Sequence, residues 1–181
     1  IGLVENKENV MTLDFKNEGD MIYLLGDCYD DISCSEYLVN YLHVNESPVP
    51  YFNMEKELEL QNVLTSLIKD KQLQSAHDIS DGGLFICLVE SGIVNNLGFD
   101  IFTNHDFRQD AYLFGESQSR AVVTISADKK DKLEKFLKDK ISFTFLGQVT
   151  SGKIVIDDVD FGGVHNLKDI YMSAIEKKLQ E

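Results

Sequence analysis

The sequence is short of basic residues, of cysteine and of proline, and it contains no long apolar run. Lys and Arg number 17 against 31 Asp and Glu, for a formal net charge of −14. A surface of that sign repels phosphate backbones, so nucleic acid is not expected as a partner. No stretch reaches the roughly 18–20 apolar residues that a membrane-crossing helix needs, and no signal peptide is visible, so no membrane association is expected either. The three cysteines, Cys28, Cys34 and Cys87, are odd in number and form no C-x-x-C pair. This usage suits a reducing compartment, points to a cytoplasmic location and speaks against a zinc site. Cys87 lies inside the run Leu84-Phe85-Ile86-Cys87-Leu88-Val89 and reads as a small buried hydrophobe. With only 2 prolines, the long connections must be shaped by Gly, Asn and Asp. The chain opens Ile1-Gly2-Leu3-Val4 without methionine, as a piece excised from something longer would.

The 181 residues, 43% of them hydrophobic, suffice for one domain with a core and exclude disorder of the whole chain. Alternation in Val10–Phe15 predicts a strand, and Asp20–Gly26 a second, more buried one. Turn chemistry at Asn17-Glu18-Gly19-Asp20 allows the two to form a hairpin. A short helix is predicted over Ser35–Leu42, capped by Ser33 or Ser35. A long helix follows over Met54–Lys71, with Leu58, Leu64, Leu67 and Ile68 on its apolar face. Further strands are expected at Ser75–Ser80, Phe99–Phe102, Arg120–Ser126, Phe143–Val149 and Ile154–Ile156. Helices are expected from Gly83 through Glu90, over Lys129–Lys138 and from Leu167 to the end, with a turn or short helix at Ala111–Gly115. The mixture predicts an α/β fold: a single domain with a mixed sheet flanked by helices.

Two segments could carry chemistry. In Ser75-Ala76-His77-Asp78-Ile79-Ser80-Asp81-Gly82-Gly83-Leu84, Gly82 and Gly83 stand between a strand and a helix, where backbone can approach a ligand closely. The helix start beyond them offers N–H groups to an anion. Asp78 or Asp81 could bind a phosphate-associated Mg²⁺, a hard cation that takes carboxylate ligands. The plain alternative is that Ser80 or Asp81 caps the helix and the glycines only permit tight packing. His77 could be a general acid or base, but reads better as a hydrogen-bonded structural residue. In Leu113-Phe114-Gly115-Glu116-Ser117-Gln118-Ser119-Arg120, the polar row Glu116, Ser117 and Gln118 could hydrogen-bond a ribose or an amide. Arg120 could hold phosphate or pair internally. A third segment, Ser33-Cys34-Ser35-Glu36-Tyr37-Leu38, reads most simply as a helix start.

Taken in this order, the three segments resemble the synthetase-subunit family of phosphoribosylformylglycinamidine synthase, the PurL family in its small form. S-A-H-D-x-S-D-G-G-L and F-[GS]-E-S-Q-x-R into a strand match Ser75–Leu84 and Phe114–Arg120, and Ser33–Tyr37 is similar to a G-G-S-E-Y-like segment. Asp14-Phe15-Lys16 followed by Gly19-Asp20 and Ile22–Gly26 resembles the connecting region. The likeness extends over nearly the whole chain and divides it into a connecting segment with first strands at 1–26 and a C-terminal-type domain of the aminoimidazole ribonucleotide synthetase superfamily at 27–181.

The resemblance implies a domain of an ATP-dependent C–N ligase. Its parent would activate the formamide oxygen of formylglycinamide ribonucleotide with ATP and Mg²⁺, and glutamine-derived ammonia would displace that oxygen. Implied partners are the sister domains of the parent chain, a glutaminase subunit, a small bridging subunit and the ribonucleotide substrate. By the same resemblance Gly82, Gly83, Glu116, Ser117, Gln118 and Arg120 bind substrate or nucleotide phosphate, and Asp78 binds metal. No catalytic residue is assigned, because this copy of a duplicated site either catalyses or holds ATP or ADP structurally. Two departures bear on that choice: Ser33-Cys34 replaces a glycine pair, and Pro48 stands where a substrate-contacting glutamine is expected. No G-x-x-x-x-G-K-[ST] loop is visible, so most ATP contacts are expected from N-terminal-type domains. The alternatives are a domain of a thiamine-phosphate or selenide kinase, which Glu116-Ser117-Gln118-Ser119-Arg120 disfavours, and a purely structural interaction module. The excised domain is expected to be inactive, to expose an apolar patch and to associate.

Overall fold

A computed structural model describes residue 4 and residues 6–180. The opening residues 1–3 and the last residue of the predicted C-terminal helix lie outside the described residues. The strands are β1 (Met21–Leu25), β2 (Ser75–Asp78), β3 (Gly98–Ile101), β4 (Ala121–Ile125), β5 (Phe143–Thr150), β6 (Lys153–Ile156) and β7 (Val159–Gly163). The α-helices are α1 (Met54–Lys69), α2 (Gly83–Ile93), α3 (Gln109–Phe114), α4 (Lys130–Leu137) and α5 (Val164–Gln180). One seven-stranded sheet runs in the order β2-β4-β1-β5-β3-β6-β7. β3 and β6 pair in parallel and the other neighbours are antiparallel, so the sheet is mixed, as expected.

Alternation along the central strands divides two cores. Ile22 and Leu24 of β1, with Val122 of β4, enter a first core under α2, α3 and the start of α5. Tyr23 and Leu25, with Ala121, Val123 and Ile125, enter a second core under α1 and α4. β1 is therefore buried on both sides, which is why its sequence reads as a continuous apolar run.

The predicted strand at Val10–Phe15 does not form, and the hairpin with it. β1 lies between β4 and β5 instead, so neither of its own edges is free to pair with the earlier segment. That segment runs along the outer edge of β2, where Thr12 O accepts the N–H of Ala76 at 3.2 Å, and it buries Phe15 in the first core.

Asn53 caps α1 by accepting the N–H groups of Glu55 and Lys56. The buried side chains of α1 are Leu60, Val63 and Leu67. Leu58, assigned to the apolar face from its spacing, is exposed. Met54 in the first turn of α1 is exposed as well, and Lys56 there pairs with Asp27.

The segment predicted as a helix at Ser35–Leu42 is a single π-turn, Tyr37–Tyr41, and Ser35 Oγ accepts the N–H of Leu38. β7 was not expected from the sequence. Its turn is Asp157-Asp158, both with positive φ, which is hairpin geometry without the usual Asn-Gly signal. The last helix begins at Val164, three residues before the predicted Leu167, directly out of β7. Among the described residues no helix is long and apolar enough to cross a membrane.

Candidate functional site

β2 ends at Asp78. The chain passes Ile79, whose N–H donates to Arg120 O, and then turns through Gly82 (φ +83) and Gly83 (φ +69) into α2. Neither Ser80 nor Asp81 provides a side-chain cap at Gly82. The acceptor comes from the other motif: Glu116 Oε1 accepts the Gly82 N–H at 2.7 Å. The same oxygen accepts the N–H of Glu36 at 2.8 Å. One carboxylate oxygen thus ties all three sequence segments together, with its negative charge at the amino-terminal end of α2.

The glycine pair makes this approach possible. A Cβ on Gly83 would stand 2.7 Å from Gly115 O, and one on Gly82 would stand 2.4 Å from the Ile86 side chain. Both φ angles lie in the left-handed region, which a side chain also disfavours. Around the clamp, the Tyr37 ring stacks on Phe114 at 4.9 Å between centroids, and Phe85 packs on Phe114 from another side.

Arg120 is buried. Its guanidinium donates to Ser117 O at 2.9 Å and to Gly115 O at 2.7 Å, bracing the Gly115–Ser119 loop from inside. Burial lowers its pKa from the ordinary value, and the nearby Cys28 thiol opposes that shift. Ser117 and Gly83 are buried and Glu116 is half-buried, while Asp78 and Gln118 are exposed. His77 is held structurally: Nδ1 lies 3.2 Å from Cys87 O and 3.1 Å from Ser91 Oγ, and Nε2 lies 3.5 Å from a Glu90 carboxylate oxygen.

A cleft of about 590 Å³ opens beside this arrangement, between the first half of α1 and the ends of β2 and β4. Asp78 and Gln118 lie on its wall, facing Glu57, Leu60, Gln61 and Leu64 of α1. Ser119, at φ +61, donates its hydroxyl to Glu57 at 2.7 Å and fixes α1 to the loop. Sequence reading missed Glu57 and Gln61. They sit on a helix some 20 residues ahead of the first motif, and only the tertiary fold brings them in.

Among the described residues no group of three or more His, Cys, Asp or Glu is placed to hold an ion. Asp78 alone fits Mg²⁺ only as one carboxylate ligand, with ligand phosphates and water completing the shell.

A family model for AIR synthase related protein, C-terminal domain, matches residues 17–159. Phosphoribosylformylglycinamidine synthase subunit PurL of Caldanaerobacter subterraneus subsp. tengcongensis is 38% identical over 157 residues, covering 86% of this chain and 21% of that protein. T. maritima PurL complexed with FGAR superposes with a TM-score of 0.75 at 16% identity, covering 90% of this chain and 30% of that one. T. maritima PurL complexed with ATP gives a TM-score of 0.69 at 14% identity, covering 90% and 28%. At those identities the structural likeness establishes the fold. The chain spans about a fifth to a quarter of the length of the curated relatives it matches. The match over most of its length shows that the chain belongs to the AIR synthase related protein, C-terminal domain family.

Proposed function

We propose that this chain is the last C-terminal-type domain of a PurL-type synthetase subunit, an ATP-dependent ligase of purine biosynthesis that acts in the cytoplasm. The parent polypeptide transfers a phosphoryl group from ATP to the formamide oxygen of formylglycinamide ribonucleotide. Glutamine-derived ammonia then displaces that oxygen as phosphate, leaving the amidine and ADP. Ammonia comes from a glutaminase subunit joined through a small bridging subunit, and the sister domains of the same polypeptide supply most ATP contacts. Residues before β1 serve as the connection from the preceding domain.

The observation that carries this reading is the Glu116 clamp. It holds the segments 78–84 and 114–120 beside one cleft. In that cleft Gln118 hydrogen-bonds the ribose or amide of the ligand, and the phosphates lie toward Asp78. Gly82, Gly83, Glu116, Ser117 and Arg120 set the shape of that binding edge from behind, Glu116 by clamping Gly82 and Arg120 by bracing the loop through Gly115 O and Ser117 O. The cleft wall carries the carboxylates Asp78 and Glu57, so a phosphate ligand needs a cation between them. Mg²⁺, with Asp78 as one ligand, supplies that neutralisation. Pro48 in place of the expected glutamine favours a copy that holds nucleotide without catalysing. The isolated chain is therefore inactive.

The test supplies ammonia, ATP and formylglycinamide ribonucleotide to the full parent and to the 181-residue chain. ADP and amidine are expected from the parent alone, and turnover by the isolated chain overturns the reading. In the parent, Asp78→Asn and Gln118→Ala are expected to lower the nucleotide retained through purification. Unchanged retention overturns the site assignment.

A further inference from the structure

The two faces of the sheet are covered unequally. The core beneath α1 and α4 draws its strand residues from β1 and β4, with Met21, Ala76 and Phe143 at its margin, and takes none from β3, β6 or β7. On that side the β5-β3-β6 half of the sheet is left open. Phe99 and Ile101 enter the opposite core, so Asp100 between them points to the open side, in register with Gln148 and Val155. Phe145 lies on the same side against Tyr23 and is 41% exposed. Phe102, next after Ile101, is 54% exposed, and alternation carries it to the same side.

Asp100 Oδ1 is buried and has no hydrogen-bond partner, one of two such side-chain atoms among the described residues. A desolvated carboxylate oxygen without a donor is unfavourable and is normally paired. Two lysines of this region are already committed: Lys153 of β6 pairs with Asp160 at 2.9 Å, and the Lys130 amine lies 4.4 Å from the centre of the Phe145 ring.

We propose that this open half-sheet seats another domain of the PurL-type polypeptide, which brings a Lys or Arg to Asp100 and apolar side chains to Phe102 and Phe145. This rests on the proposed function, in which the chain is part of a longer protein. The chain covers only 21–25% of its relatives, which leaves ample polypeptide to supply the occupant. A second copy is the poorer occupant. It would set Asp100 against Asp100 between two chains that each carry a net charge of −14 and would supply no cation.

The test compares the 181-residue chain with the full parent polypeptide by hydroxyl-radical footprinting and thermal unfolding. Oxidation of Phe102 and Phe145 is expected in the isolated chain and is expected to be lost in the parent. Asp100→Leu is expected to raise the melting temperature of the isolated chain and to lower that of the parent, each by about 2–4 °C. Equal oxidation in both proteins, or a shift of the same sign in both, overturns the proposal. A dimer of the isolated chain that Phe145→Asp returns to monomer overturns the choice of occupant. Absence of ligase activity in the parent would count against the proposed function and leaves the footprint readable, so the two failures are distinct.

Discussion

The carboxylate of Glu116 accepts the backbone N–H of Gly82 at 2.7 Å across 34 residues of sequence. The same oxygen holds Glu36, so removing it leaves two N–H groups without their acceptor. Glu116→Ala is expected to destabilise the chain by about 1–3 kcal/mol, with Glu116→Gln retaining part of the loss because its amide oxygen still accepts. Urea denaturation of the three proteins checks this.

Gly83→Ala introduces a Cβ 2.7 Å from Gly115 O at a φ of +69°. The helix start must shift or the loop must yield. A loss of at least about 1–3 kcal/mol is expected, read as a lowered melting temperature. The half-buried Gly19, at φ +83, provides the control: a Cβ there meets nothing within 4 Å, so it shares the left-handed strain but not the clash.

Lys56 pairs with Asp27, lowering the carboxylate pKa through the Lys56 hydrogen bond first and the Ser142 hydrogen bond second, while the ammonium pKa is raised. A lowered carboxylate pKa stabilises the fold above its unfolded value and ceases to do so as pH falls through the folded one. A raised ammonium pKa stabilises below its unfolded value and ceases to do so as pH rises through the folded one. The stability difference between the wild type and Lys56→Met is therefore expected to be full at neutral pH and to vanish in both strong acid and strong base. Solvent screening keeps it below about 1 kcal/mol. Denaturation curves across pH measure it.

The three cysteines differ in exposure. Cys34 is exposed, Cys28 is partly buried and Cys87 is buried, and burial pushes the thiols of Cys28 and Cys87 up. At pH 8 a thiol reagent is expected to modify Cys34 first, Cys28 slowly and Cys87 only on unfolding. Mass spectrometry of timed samples distinguishes the order.

Helix α5 buries only Val164 and leaves Tyr171, Ile175 and Leu179 exposed at helical spacing. The isolated chain is expected to associate at high concentration through this stripe, and the double variant Ile175→Lys, Leu179→Lys is expected to sediment as a monomer. A strict monomer in the wild type counts against it.

Most elements could be read from the sequence because their periodicity is local: the double-sided burial of Met21–Leu25 shows as an apolar run, and the last helices show as amphipathic patterns. Val10–Phe15 misled because alternation does not specify a partner, and both sides of β1 were taken by strands from far along the chain. β7 escaped because Asp157-Asp158 adopts a turn that its side chains do not advertise. At the site, the motifs marked which segments matter but not how they are joined. Nothing in the spacing indicates that Glu116, rather than Ser80 or Asp81, meets the start of α2, or that Arg120 faces inward to two carbonyls.

The placement of β1 has a kinetic consequence. Its neighbours β4 and β5 are made roughly 100 and 120 residues later. During synthesis the ribosome must release the chain past Thr150 before Met21–Leu25 can lose its contact with water on both sides. Until then the nascent segment is a naked apolar strand, open to chaperones and to wrong partners. Native pairing is spread across such long separations that folding is expected to be slow and to finish only after translation of this region is complete.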